Sequence, residues 1–140
     1  MVETGQAIVD EHMLALSQQS LSLLATLDTM SGAVAKAMYP PRASQPNVLI
    51  YKIMGKMFAI LSTRGTEGVI VKCDPEQVLF LREQYEGVGH RSHLDPRHWI
   101  SIRLDSDVPV GEIERCISDS YKLVCSKLTK KQQSELASLT

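Results

Sequence analysis

The 140-residue chain predicts a two-layer α+β domain, an antiparallel five-stranded sheet with helices on one face in the order α-β-β-β-α-β-β-α. Three observations predict it. Residues 48–73 hold three short β-rich segments separated by glycine-containing turns. Leucines recur at helical spacing ahead of them. The run Lys72-Cys73-Asp74-Pro75-Glu76 then carries a strand into a helix start, and Arg97-His98-Trp99-Ile100 opens another strand after it.

Taken in order, residues 7–30 predict one long helix. Leu16, Leu23, Leu27 and Met30 form its stripe, which Leu14, Leu21 and Leu24 widen. Ser31-Gly32 is its stop, since glycine tolerates the left-handed turn that ends helices. Three prolines make 39–47 an extended connector. Strands follow at 48–54, 57–62 and 69–73, joined by the tight turn Met54-Gly55-Lys56 and the longer connection Arg64-Gly65-Thr66-Glu67-Gly68. Asp74 caps the next helix, with Pro75 at its first position and Gln77 where a capping-box partner belongs. Its buried face is Val78, Leu81 and Tyr85, widened by Leu79 and Phe80. Residues 88–94 form either a short strand or an ordered loop. Residues 98–104 form the fifth strand, with Ile100, Ile102 and Leu104 on one face and Trp99, Ser101 and Arg103 on the other. Pro109 starts the last main helix, striped by Ile113, Ile117, Tyr121, Val124 and Leu128. Thr129 with Gln132 or Gln133 opens a short terminal helix.

The length suits a single domain over residues 1–140. A hydrophobic fraction of 44% and a charged fraction of 22% are ordinary for a globular protein. The net charge of −1 lacks the basic excess of a dedicated non-specific nucleic-acid binder, which leaves a local patch as the only electrostatic route to such a ligand. Cys73, Cys116 and Cys125 form no Cys-x-x-Cys pair, and reduced thiols are the simplest reading. Glu3, Asp10 and Glu11 stand where a secretory leader would be apolar, and no segment has the run of about 20 apolar residues that crosses a bilayer. The expectation is a soluble cytoplasmic protein with no membrane partner.

From about Met30 to Leu128 the chain resembles the MmcQ/YjbR-like family. The resemblance rests on Gly32-Ala33, Tyr39-Pro40, Tyr51-Lys52-Ile53, Gly55-Lys56-Met57-Phe58-Ala59, Lys72-Cys73-Asp74-Pro75-Glu76 and Leu81-Arg82-Glu83-Gln84-Tyr85. It continues through His93-Leu94, Arg97-His98-Trp99, Val108-Pro109 and Ser120-Tyr121-Lys122-Leu123-Val124. The order and separation of these pieces carry it, since each alone is weak. The resemblance implies a secretion-chaperone-like topology and a "double wing" label that groups the family with DNA-binding proteins. The label is a statement about shape. The chain departs from the family pattern in its longer N-terminal helix, at Pro41-Arg42, and across Gly89-His90-Arg91-Ser92-His93.

Four sets of residues bear on chemistry. His90, His93 and His98, with Asp95, have imidazoles close in sequence, but the spacing matches no closed metal site, so turn and surface roles are expected and no metal or cofactor is assigned. Arg97-His98-Trp99 serves either as a structural corner or as a ligand site in which Trp99 stacks and Arg97 meets an anion. Cys73 precedes a helix N-terminus, whose dipole favours a thiolate, yet a small buried residue is the simpler role. Strand alternation places Lys52, Lys72, Arg103 and Trp99 on the uncovered sheet face, with Lys56 and Arg64 at hairpin tips and Trp99 or Tyr51 at the edge. No phosphate-binding glycine loop or nucleophile elbow is present and the carboxylates are scattered, so no catalysis is expected. The first expectation is DNA binding through Lys52, Lys56, Arg64, Lys72, Arg97, Trp99 and Arg103. The alternative is a protein-interaction module or homodimer that uses an open sheet edge or an apolar flank.

Overall fold

In the computed structural model, which describes residues 3–139, the N-terminal helical segment is two helices rather than one. Helix α1 spans Gly5–His12 and α2 spans Gln18–Asp28. Thr4 caps α1 by accepting from the Ala7 N–H, and Met13 ends it in the left-handed region at φ 50°. Ser17 then caps α2 through the Ser20 N–H. Leu14 and Leu16 in the linker still pack on the core, so the apolar spacing runs through a break in the backbone.

A sixth strand follows, where the sequence predicts five. Strand β1 (Ala33–Met38) pairs antiparallel with β2 (Val48–Ile53) from Ala33↔Ile53 to Met38↔Val48. Its three alanines have little strand preference, so pairing with β2 creates the strand where local propensity does not. Met54 and Gly55, at φ 48° and 80°, turn β2 into β3 (Lys56–Ser62). Positive φ at both positions matches the twist of paired strands, and glycine meets the second at no steric cost. The register shifts between Tyr51 and Lys52, and Phe58 and Ala59 are both buried as a result. Strand β4 (Gly68–Lys72) leads to α3 (Pro75–Gln84), which Asp74 caps through the Glu76 N–H. The segment left open between strand and loop holds a two-residue strand, β5 (Val88–Gly89), and β6 is Trp99–Arg103. Helix α4 (Val110–Ser126) has Pro109 at its N-cap, and α5 (Lys130–Ala137) begins with a Thr129–Gln132 capping box.

The sheet order is β1-β2-β3-β4-β6-β5, with every pairing antiparallel. One core cluster joins inward strand residues such as Leu49, Tyr51, Phe58, Val71 and Ile100 to Leu24, Leu27, Ile113 and Ile117 of the helices. Helix α3 contributes Val78 and Leu81, while Leu79 and Phe80 are 68% and 56% exposed. The wider stripe expected for α3 is therefore wrong, because this helix meets the sheet near its thin β5 edge and needs one narrow face.

Two polar ties lock the layers. Asp28 accepts from the Gly5 and Gln6 N–H groups and from the buried Tyr51 hydroxyl. Ser120, fully buried on α4, donates to the Phe58 carbonyl at 2.6 Å and accepts from the Lys72 N–H at 2.9 Å. Ser120→Ala leaves both backbone groups without this partner, and urea unfolding is expected to show a loss of about 1–2 kcal/mol.

Candidate functional site

The helical layer leaves the other face of the sheet without a covering helix, although at its β6 end Ser101 is 9% exposed and accepts from the Arg91 N–H of the segment after β5. The register sets its side chains in rows. The middle row runs Lys36, Ile50, Ile60, Ile70, Ser101 and Gly89 from β1 to β5. A second row holds Val34, Lys52 and Met57, with Lys72 opposite Trp99 at its other end. None of the apolar members of these rows belongs to the core cluster, and the isoleucines are half-buried.

Charge is segregated between the strands and the rest of the chain. The strands hold Lys36, Lys52, Lys56, Lys72 and Arg103 and no carboxylate, whereas the whole chain has a net charge of −1. The sheet therefore carries +5 and everything outside it −6. Among the described residues, Lys36, Lys52 and Lys72 have no ion-pair partner. Lys36 joins the face from β1, a strand that its residue types do not mark. The alternation in Ala33-Val34-Ala35-Lys36-Ala37-Met38 was the available signal.

The structure brings Lys52, Lys72, Trp99 and Arg103 to this face and separates the other candidates from it. Lys56 pairs with buried Ile53 and its Nζ donates to the Lys127 carbonyl, so it turns toward the helical layer. Arg64 is exposed in the β3–β4 connection. Arg97 lies against Asp95, its Nη2 3.2 Å from Oδ2, and the pair holds the Asp95 carboxyl far below its usual range. Tyr51, expected near the edge of the face, is instead 1% exposed inside the core. Arg103 Nε reaches the Asp105 carbonyl at 3.4 Å.

At the β5 end the face deepens into a cavity of about 190 Å³ lined by Ser62, Ile70, Gly89, Arg91, Ser101 and Arg103, among others. A Cβ added at Gly89 would meet nothing within 4 Å. Glu67 and Glu86 also border this cavity; Glu67 Oε1 accepts from the Ser17 N–H and the Ser20 hydroxyl. Burial pushes the Glu67 carboxyl up, and these hydrogen bonds outweigh it to leave a net lowering.

The histidines do not converge. His90 Nε2 contacts the Leu94 carbonyl, His98 Nδ1 lies 3.1 Å from Asp95, and His93 is exposed. The described residues bring no group of three His, Cys, Asp or Glu together around a metal position.

A second cavity, of about 300 Å³, lies between α3 and α4 against Cys73, Leu81, Cys116 and Leu123, and Lys72, at the end of β4, borders it as well as the uncovered face. Burial, then the Asp74 carboxylate, pushes the Cys73 thiol up to about 11, against the thiolate-favouring effect of the helix start. Burial likewise raises Cys116 to about 12. Both thiols are expected to resist iodoacetamide at neutral pH in the folded protein and to label fully in urea. Rapid labelling of native Cys73, read by mass spectrometry, would contradict the stated balance.

No helix among the described residues is long and apolar enough to cross a membrane. The fold is similar to that of crystallised Deinococcus radiodurans protein DR2400, at TM-score 0.72 and 24% identity over 87% of this chain and 92% of that one. A solved Pseudomonas syringae protein matches at TM-score 0.59 and 21% identity, covering 77% of this chain and 98% of that one. The chain is 30% identical over 89 residues to the uncharacterized protein YbdF of Escherichia coli O157:H7, covering 63% of this chain and 73% of YbdF. It is 27% identical over 89 residues to the uncharacterized protein YjbR of Escherichia coli strain K12, covering 63% of this chain and 75% of YjbR. Residues 33–123 match the YjbR family model, and this span contains every strand and most of α4, so the chain belongs to the YjbR family.

Proposed function

We propose that the protein binds nucleic acid, DNA being the first ligand to test, through the uncovered face of its sheet. One observation carries the reading: this face presents Lys36, Lys52, Lys72 and Arg103 from strands that contain no carboxylate. A phosphate backbone meets no like charge from the strands themselves, away from the cavity that Glu67 and Glu86 line at the β5 end, and the release of its counterions drives association. Lys52 and Lys72 stand about two strand spacings apart, or roughly 10 Å, and Lys72 and Arg103 about four residues apart along the strands, or roughly 13 Å. A flexible polyanion can bridge both gaps. Trp99, half-buried and opposite Lys72, adds a ring at the margin.

The reading is of a binding protein acting in a soluble compartment, and it assigns no catalytic residue. It is tested by titrating labelled oligonucleotides with the full chain at rising salt. The expected result is affinity that falls log-linearly with salt, at a slope corresponding to about three or four phosphate contacts. No binding at low salt would overturn it.

A further inference from the structure

We infer that the uncovered face is built for single-stranded rather than duplex nucleic acid, an inference that rests on the polyanion reading above. Ile50, Ile60 and Ile70 stand side by side across β2, β3 and β4, paired directly in the register. They form an apolar ridge about 10 Å wide at the centre of the face. The core does not use it, since all three lie outside the core cluster. Lys52 and Lys72 are each two residues along their strands from a ridge isoleucine, a separation of about 7 Å on the same face.

This alternation of cation and apolar side chain needs a ligand with both characters at short range. A duplex keeps its bases stacked inside and turns sugar and phosphate outward. It would satisfy the lysines while pressing charged backbone on the isoleucines, which offer no hydrogen bond in return for lost hydration. Groove reading would require a protruding helix or ribbon, whereas the residues that pair across this ridge lie within one continuous sheet. A single strand separates the two characters. Its phosphates can turn to Lys36, Lys52 and Lys72 while unstacked base faces lie on the ridge, and Trp99 offers a stacking surface beside Lys72. Charge complementarity selects this occupant over an apolar protein surface, because no strand supplies a carboxylate to repel the backbone.

The test measures fluorescence anisotropy of the full chain with a labelled strand of about 12 nucleotides and with its duplex, over a salt series. The single strand is expected to bind about tenfold or more tightly. Ile60→Thr and Ile70→Thr keep β-branched residues outside the core, so circular dichroism melting should hold. Each variant should weaken single-strand binding about fivefold with the salt slope unchanged, and should not weaken duplex binding. Lys52→Ala should instead lower the slope by close to one contact. Equal or tighter duplex binding, or threonine variants that bind the strand as the native protein does, would overturn this inference and leave the polyanion reading standing. Binding of neither nucleic acid would overturn both.

Discussion

Asp28→Ala is expected to lower the unfolding free energy by about 3 kcal/mol, among the larger effects a polar substitution can have. The carboxylate links three parts of the fold. Its Oδ1 takes the Gly5 N–H at 2.7 Å and the Tyr51 hydroxyl at 2.8 Å, and Oδ2 takes the Gln6 N–H at 3.0 Å. Tyr51 is 1% exposed, so removing its acceptor strands a hydroxyl away from water. Burial first, then the hydrogen bond to Asp28, pushes that phenol well above its usual range and keeps it a donor. The space is closed to repair: a Cβ on Gly5 would come within 2.0 Å of the Tyr51 oxygen. Tyr51→Phe removes the donor with little change of shape and should cost only about 1 kcal/mol. The double variant should then cost less than the two single changes together, because Asp28→Ala no longer strands a hydroxyl. Urea unfolding of the three proteins measures this, and an Asp28→Ala protein within about 0.5 kcal/mol of the native one would refute the account.

The second large effect concerns binding. Lys52→Glu with Lys72→Glu is expected to weaken oligonucleotide affinity at low salt by on the order of 100-fold and to flatten the salt dependence by about two contacts. Neither lysine has an ion-pair partner among the described residues, so reversal breaks no salt bridge in the fold. The two new carboxylates would stand on a face whose strands have none. Lys56→Glu is the internal control. Its ammonium serves the Lys127 carbonyl on the helical side, so affinity should change by less than about threefold. Parallel titrations of the two variants decide the point. Equal losses from both would mean that binding does not use the uncovered face.

The sequence made the centre of this molecule legible and its margins less so. Strands β2, β3 and β4 combine β-branched residues with glycine turns, and their boundaries emerge within a residue or so. Strand β1 does not announce itself, because alanine and lysine say little locally and only the partner β2 makes a strand of them. The break at Met13 was hidden by leucines that keep helical spacing across a non-helical linker, although Ser17 is an ordinary cap. Alternation placed Lys52, Lys72 and Arg103 correctly on one face, since it depends only on the pleat. It carries nothing about partners in space, so the pairing of Arg97 with Asp95 and the contact between Lys56 and the Lys127 carbonyl lie beyond it. The isoleucine ridge was equally out of reach, because the matching of Ile50, Ile60 and Ile70 is a property of register.

The partition of charge between sheet and surroundings, +5 against −6, also acts beyond contact distance. The helices hold −4 of that −6 and lie on one side of the sheet, while Lys36, Lys52, Lys72 and Arg103 stand on the other, which gives the charge distribution a component along the normal of the layers. Near an anionic polymer at low ionic strength, the resulting torque turns the strands inward before the surfaces touch, and a larger share of collisions arrives correctly oriented. At physiological ionic strength this guidance is confined to about 8 Å.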